Sequence, residues 1–518
     1  MVASLLRLLH SGLQDYRLIG KRVSTVQFEY VLVKAGRFTT QWQRIDFNTK
    51  PSFGTPCVVT LPRKGHLITR VYLVATMPDI RTPQLEARAL GGANFAGPVF
   101  GWTNSLGHAM IETLSLEIGG ARVEQLDGRL MEVLDEFYTP VEKVQNVNEM
   151  IKRKANAFNE YSFGWDTQYE TVTVPLPFWF CRGDLGSPLP VDGLYNDEVR
   201  ITIKFRNVGA LYTTPARVDY QQADIQSTVP VKCKTITTGS QLVSIEGTEF
   251  YKFDPNGEPL PTIVPNRPNV PLSPIPGVTM PATYVLGDTY LMVEYITLDK
   301  PEANRFRQAE FTMPVIQHYL MDPVNTKGQP SIQIPIRIPN PTRHIYFFCQ
   351  REEIPALNSY FLATRDLSGA QTIVAPWWPD CSGLDMSSFN ELVPAFSTRD
   401  SEPVRGMSLT YEGKFVRFST DNMSLYRSIF PSLELRKSPL FNRYYYCLPF
   451  CLQSGYYPGT IPLGEANLDK IQKISLYLEF MSKSIVRNKY PTYNVHMWVE
   501  TYNILKMYGG RAGLLFGY

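Results

Sequence analysis

The chain has 518 residues, too many for one ordinary core, so two or more domains are expected. With 44% hydrophobic and 12% aromatic residues there is ample apolar surface for buried cores, which excludes global disorder. The 51 basic and 48 acidic residues are spread without long blocks of one sign and leave a formal charge of +3, so composition gives no support to a surface that grips bare nucleic acid.

Residues 1–22 carry Leu5, Leu6, Leu9 and Leu13 at helical spacing, while Arg7 and His10 interrupt what would have to be an apolar signal core. A short amphipathic arm is expected there, not a signal peptide. No run of 18 apolar residues exists, so no membrane-spanning helix is expected. Val26, Phe28, Tyr30 and Leu32 fall on one face of a predicted strand, and Val71, Leu73, Ala75 and Met77 on one face of another. Leu114, Leu116 and Ile118 lead into Gly119-Gly120, a pair suited to the positive φ of a tight hairpin, with the return through Val123. Leu130, Val133, Leu134 and Phe137 follow the i, i+3, i+4, i+7 pattern and predict a helix over 129–137. Asp135 and Glu136 fall on its polar side, the expected place for solvated charges. Pro140 interrupts, and Val141, Val144 and Val147 predict a second short helix.

Residues 172–205 are the most informative stretch. Val172 to Phe180 is an extended run in which Pro175 and Pro177 remove ladder donors, arguing for an edge or a bulge. A Gly/Pro loop follows, and then Val199, Ile201, Ile203 and Phe205 alternate with Arg200, Thr202, Lys204 and Arg206, placing four apolar side chains on one sheet face. Nine prolines stand within residues 255–281, a stretch that favours extended polyproline-like backbone and cannot form a central strand. In the second half Ile332, Ile334, Ile336 and Ile338 alternate cleanly, as do Ile474, Leu476, Leu478 and Phe480. The expected architecture is all-β with short helical inserts.

Catalytic and ligand-binding patterns are absent from the sequence. The six histidines (His10, His66, His108, His318, His344 and His496) are scattered, with no close pair and no H-E-x-x-H, and each reads as a surface or locally hydrogen-bonded residue. Neither a Cys-x-x-Cys nor a phosphate-cradling glycine motif occurs. Gly509-Gly510-Arg511-Ala512-Gly513 is read as a turn or a flexible packing segment. The seven cysteines are thinly spread and read as free thiols; in a strand Cys447 and Cys451 would lie about 13 Å apart, too far for a disulfide. Glu112/Glu117, Asp135/Glu136 and Glu352/Glu353 are carboxylate pairs of the kind a glycosidase needs, but by count only. Trp377-Trp378 and Tyr444-Tyr445-Tyr446 are dense apolar surface, to be read as sandwich core, as a subunit interface or as a carbohydrate-stacking platform. Asn422-Met423-Ser424 reads as a chance sequon.

The wording of several blocks resembles one family, the major capsid proteins of nucleocytoplasmic large DNA viruses. Residues 172–205 are similar to its Pro-Leu-x-Phe-x-Phe, loop, Leu-Pro-Leu and Val-x-Ile-x-Ile-x-Phe block. Further similar blocks follow in order: Gly12 to Asp15 with Leu18 to Gly20, Arg63 to Leu73, Asn104 to His108, and Leu116 to Arg122. Tyr290 to Asp299, Pro458-Gly459 with Ala466 to Ile471, and Tyr502 to Leu505 with Gly509-Gly510 and Gly513-Leu514 complete the set. The chain departs from the family where Leu468-Asp469-Lys470 replaces a Phe-Ser-Arg triplet, and in a long insertion at 209–283.

The resemblance implies two tandem eight-stranded jelly-roll domains. The Tyr290–Asp299 strand would close the first, giving an arm at 1–22, a first jelly roll at 23–300 with the Pro-rich insertion 209–283, and a second at 301–518. It further implies a homotrimer of pseudo-hexagonal outline that tiles an icosahedral shell, with minor capsid and penton proteins as partners. The arm would reach them or an inner membrane, assembly would take place in the host cytoplasm, and no direct contact with nucleic acid is expected. No catalytic, metal or cofactor-binding residue and no cofactor is expected. The alternative is a tandem-sandwich carbohydrate-active enzyme or lectin.

Overall fold

A computed structural model describes residues 37–79, 101–153, 171–182, 186–213, 241–246, 249–253, 285–338, 340–352, 360–361, 363, 365, 402–413, 415–439, 443–452, 464, 466–468, 471, 473–481 and 490–516. The first half supplies β1 (Phe38–Asp46), β2 (Pro56–Thr60), β3 (Leu67–Thr76), β4 (Gly101–Trp102), β5 (Ile111–Ile118) and β6 (Ala121–Leu126). It continues with β7 (Thr171–Pro175), β8 (Val199–Phe205), β9 (Tyr212–Thr213), β10 (Gln241–Glu246), β11 (Glu249–Phe253) and β12 (Thr289–Leu298). Eight of these strands form two sheets, ordered β1-β12-β3-β7 and β2-β8-β5-β6, whose inner faces share one hydrophobic core. The pairs β4–β9 and β10–β11 stand outside both sheets.

The second half runs through β13 (Phe311–Asn325), β14 (Ser331–Ile336), β15 (Thr342–Arg351), β16 (Val404–Tyr411), β17 (Phe415–Thr420) and β18 (Tyr445–Pro449). It ends with β19 (Ile474–Phe480), β20 (Tyr493–Tyr508) and β21 (Arg511–Leu514). Its sheets are ordered β13-β20-β15-β18, with β21 added beside β20, and β14-β19-β16-β17. Numbering the eight main strands of each half from one to eight gives the same result twice: one sheet reads first-eighth-third-sixth and the other second-seventh-fourth-fifth. Both are antiparallel jelly rolls, and β12, closing the first sheet set between β1 and β3, is the strand expected at Tyr290–Asp299. The sandwiches share topology while corresponding strands such as β3 and β15 read quite differently, LITRVYLVAT against TRHIYFFCQR.

Local chemistry accounts for the elements. In β8, Val199, Ile201, Ile203 and Phe205 are at most 1% exposed, and the strand is central, between β2 and β5. The β5–β6 hairpin turns through Gly119 and Gly120 at φ +60° and +82°, a left-handed pair that side chains resist. β7 is an edge strand, as its prolines require, but it stops at Pro175. The extended run expected to reach Phe180 instead folds into a 3-10 turn over Trp179–Cys181, because Phe178, Trp179 and Phe180 pack their rings into the core.

Among the described residues the α-helices are α1 (Leu106–Ala109), α2 (Gly128–Tyr138), α3 (Val144–Ile151), α4 (Lys300–Gln308) and α5 (Phe430–Glu434). In α2 the Asp127 side chain accepts the Leu130 N–H at 2.7 Å, an N-cap. The helix at α3 exists, yet the valine stripe read there is not a core face: Val141 is 69% exposed and Ile151 alone is buried. The Gly/Pro loop after β7 is scaffold where described, since Leu189 bridges to Ile68 and Asp192 accepts two hydrogen bonds from Arg307 of α4. Val26 to Leu32, the 255–281 stretch, Glu353 and Trp377-Trp378 lie outside the described residues.

Candidate functional site

The two sandwiches meet on a seam, and its cause lies in one sheet. β15 is buried at all ten positions and β20 at most of its length, so the β13-β20-β15-β18 sheet is covered on both faces. Ile345, Phe347, Cys349, Val495, Met497 and Val499 point into the second sandwich's own core. Tyr346, Phe348, Tyr445, Trp498 and Tyr502 point the other way and join the core of the first. The tyrosine run divides by the same alternation: Tyr444 and Tyr446 face the second core, Tyr445 the seam. From the first sandwich α2 enters the seam, with the Phe137 ring 5.7 Å from that of Tyr346 and the Tyr138 and Tyr346 hydroxyls 2.9 Å apart.

Around α2 the apolar seam holds a charged cluster. Glu132 is fully buried; its Oε1 accepts from Ser105 Oγ at 3.0 Å, Arg153 Nε at 3.0 Å and Arg443 Nη1 at 2.6 Å. Its Oε2 faces Arg153 Nη2 and His108 Nδ1, each at 2.6 Å. Arg153 also bonds Asp135, while Glu136 lies 3.1 Å from Lys437 Nζ and 3.5 Å from Arg443 Nε. Three carboxylates thus face three cations, with Arg443 and Lys437 coming from the second half of the chain. Burial alone would raise the Glu132 carboxyl, but Arg153 and Arg443, helped by His108, hold it well below the usual range. Asp135 is likewise lowered, its burial outweighed by Arg153. The expectation of Asp135 and Glu136 as solvated charges is corrected: Glu136 has no exposed surface and the Asp135 side chain is only 11% exposed, because the side of α2 away from its leucines is covered by Arg153, Arg443 and Lys437.

A second cluster forms around Glu500 in the middle of the doubly covered sheet. Cross-strand register sets His318 of β13 and His344 of β15 directly opposite Glu500, one on each side. The histidines, far apart in sequence and expected to stand singly, are therefore gathered on one carboxylate. Glu500 accepts from Arg343 Nη1 at 2.9 Å, from the Tyr346 hydroxyl at 3.1 Å and from Arg182 Nη1 at 3.5 Å. Arg182 Nη2 lies 2.9 Å from His318 Nε2; a guanidinium can only donate, which leaves the His318 proton on Nδ1, facing Glu124 Oε1 at 2.8 Å. Glu124 and Arg182 belong to the first sandwich, so this network also crosses the seam. Burial would raise the Glu500 carboxyl; Arg182 and Arg343 hold it well below the usual range.

Such clusters fix geometry more than they add stability. Taking ions out of water offsets most of their attraction, but removing one partner leaves a buried uncompensated charge, so misaligned arrangements of the two sandwiches are strongly disfavoured. Hydrogen bonds from Asn196 to the Gly509 and Gly510 carbonyls, and from the Ala512 N–H to Asp197, clasp the β20–β21 turn to the first sandwich.

The remaining candidates do not converge. Glu112 pairs with Lys204 at 2.9 Å, and Glu352 is exposed with its N–H bonded to the Thr492 carbonyl. His66 Nδ1 accepts the Leu298 N–H, and the His496 ring lies against Phe348 and Trp498. Cys57, Cys181, Cys349, Cys447 and Cys451 are free. Among the described residues no group of three or more His, Cys, Asp and Glu side chains is arranged to hold a metal ion, and no helix is long and apolar enough to cross a membrane. A signal for the Glu500 cluster does exist in the sequence: both residue sets of β20, Val495-Met497-Val499 and His496-Trp498-Tyr502, contain large apolar side chains, as in a strand buried on two faces.

Paired jelly rolls locked across a charged seam define a double jelly-roll protein of structural type. The family described as "Major capsid protein N-terminus" matches residues 27–244, and "Large eukaryotic DNA virus major capsid protein" matches residues 302–513. The chain belongs to the major capsid proteins of large eukaryotic DNA viruses. It is 28% identical over 212 residues to "Probable capsid protein 4" of Acanthamoeba polyphaga mimivirus, covering 41% of this chain and 39% of that protein. It is 29% identical over 205 residues to the "Major capsid protein" of Pyramimonas orientalis virus, covering 40% of this chain and 47% of that one. The matched stretches thus span less than half the length of these curated relatives. In fold it is similar to the chain in "PBCV-1 virus capsid, quasi-atomic model" (TM-score 0.63, 15% identity, 95% of this chain and 100% of that one). The "Faustovirus major capsid protein" gives a TM-score of 0.57 at 11% identity, covering 93% of each chain. The family is one of structural proteins, and the carbohydrate-enzyme or lectin alternative finds no support in it.

Proposed function

We propose that this chain is the repeating wall unit of an icosahedral shell: three copies associate into a homotrimer whose six similar sandwiches give a pseudo-hexagonal outline, and the trimers tile the facets. The observation that carries this reading is the repeated strand order, in which two sandwiches of one topology are fixed to each other by a sealed, charge-balanced seam. A trimer of such units has six near-equivalent sides, and a six-sided outline tiles a flat lattice. Large apolar contacts would hold the trimer and smaller, more polar ones the lattice, so that prebuilt trimers add reversibly. The working domain division is an arm at 1–22, a first jelly roll at 23–300 and a second at 301–518.

The insertion at 209–283 then decorates the outer surface or clasps a neighbour. The arm faces inward toward minor capsid or penton proteins or an inner membrane, and assembly takes place in the host cytoplasm. Mass measurement of the purified protein tests the central statement: a stable species near three times 58.9 kDa supports it, and a monomer at all concentrations refutes it. Electron microscopy of assembled material tests the lattice. Removing residues 1–22 should impair particle assembly while leaving the trimer folded; normal particles would refute the role given to the arm.

A further inference from the structure

We propose that Cys451 is a reactive-thiol site that exchanges with small disulfides, activated by the spatial series Glu500–His344–Cys451, and that capping it loosens the seam. Cys451 Sγ lies 3.5 Å from His344 Nε2, and His344 Nδ1 lies 3.6 Å from Glu500 Oε1. A carboxylate behind one imidazole nitrogen and a sulfur at the other is the arrangement that moves a thiol proton onto the ring and holds the resulting charge. Its parts come from three strands or strand ends: β15 supplies His344, β20 Glu500, and the second residue past β18 the thiol. The ring is held in place, stacked on Tyr346 with centroids 5.5 Å apart, and the carboxylate by Arg343.

The groups facing this series are Arg343 beside Glu500 and Cys451, Arg182 and His318 across Glu500, Glu124 beyond His318, the Tyr346 and Tyr138 hydroxyls, and Cys447 in β18. Burial would raise the Cys451 thiol, but the charge and hydrogen bond of His344, with Arg343, bring it below the ordinary cysteine value. The reciprocal effect raises His344 in spite of its burial. Cys181, Cys349 and Cys447 are all pushed up by burial, so the described thiols are not equivalent. Cys451 is 3% exposed, while the next residue, Leu452, is 69% exposed; a thiol so closely covered admits only small reagents.

The step balances without any further reactant. The Cys451 proton passes to His344 Nε2, the thiolate attacks one sulfur of R–S–S–R, the new Cys451–S–S–R bond forms as the old one breaks, and the departing thiolate takes the proton from the imidazolium to leave as R–SH. The cap removes the thiolate that His344 faces and places bulk against the ring. That disturbs the Glu500 network joining the two sandwiches.

The full-length protein is treated with dithiodipyridine at pH 6 and pH 8, quenched, and mapped by peptide mass. Cys451 should label at least about tenfold faster than Cys57, Cys181, Cys349 and Cys447. Its rate should fall less steeply from pH 8 to pH 6 than that of an ordinary thiol, which loses about tenfold per unit. His344→Gln should restore the steep pH profile, and the capped protein should melt about 2–4 °C lower, a shift that Cys451→Ser abolishes. If His344→Gln does not fold, the profile of the unaltered chain decides alone. Labelling of Cys451 no faster than Cys349, or a rate falling about tenfold per unit, overturns the proposal.

Discussion

At the scale of single residues, the seam places ionisable groups where their ordinary protonation behaviour is lost. His496 is pushed down to about 3, first by burial and then by Arg129, and its Nε2 has no hydrogen-bond partner. The unfolded chain therefore binds a proton below about 6.5 that the folded chain refuses, so stability must fall as pH drops through that range. Glu132 and Glu500 act in the same direction at lower pH. Their stabilisation is complete above the ordinary value of 4.5 and is lost as pH falls toward their depressed folded values. Melting temperatures should accordingly fall in two stages on acidification, from about pH 6.5 and again below about 4.5. His496→Phe keeps a ring beside Phe348 and Trp498 and should remove the first stage only, which thermal scans at pH 5 and pH 7.5 would reveal. Glu500→Gln leaves Arg182 and Arg343 facing an amide, and a loss of about 3–5 kcal/mol is expected in chemical denaturation.

At the scale of elements, the balance between sequence pattern and packing differs from place to place. The alternation in β8 and the Gly119-Gly120 hairpin are local facts, legible because side-chain period and backbone φ are set within a few residues. α2 is legible only on its leucine side; nothing within residues 128–138 shows that Arg443 and Lys437, some 300 residues away, will cover Glu132 and Glu136. Its start is equally non-local. A Cβ at Gly128 would lie 2.1 Å from the His108 carbonyl oxygen and 2.6 Å from that of Ile111. Gly128→Ala should therefore cost at least about 3 kcal/mol, as overpacking against backbone cannot relax by rotamer change. Gly120→Ala meets no atom within 4 Å and suffers only its left-handed backbone, so about 1–2 kcal/mol is expected. Denaturation of the two variants side by side separates close packing from backbone strain.

At the scale of the whole molecule, the seam makes two topologically complete sandwiches into one unit. From Thr40 to Tyr518 the chain is a single compact body, although each sandwich has its own sheets. One cooperative melting transition is therefore expected by calorimetry, with tertiary and secondary probes coincident. Glu132→Gln, which weakens the link from α2 to Arg153 and Arg443, should separate that transition into two. A single transition in the variant would show that the apolar part of the seam is sufficient. For a wall unit the consequence is angular: the outline of an assembly built from such chains is only as well defined as the relation between its two halves.

The sequence by itself determined the all-β class, the strands with strict alternation, the glycine turns, the prolines that mark an edge, and the family. All of these depend on side-chain period, backbone freedom or ordered local motifs. Only the tertiary structure decided which charges are buried and with whom. Strand register sets His318 and His344 against Glu500, and sandwich docking closes Arg443 and Lys437 over the carboxylates of α2. Those partners are far apart along the chain, and a carboxylate bound for solvent and one bound for a buried ion pair are the same residue until the distant cation arrives.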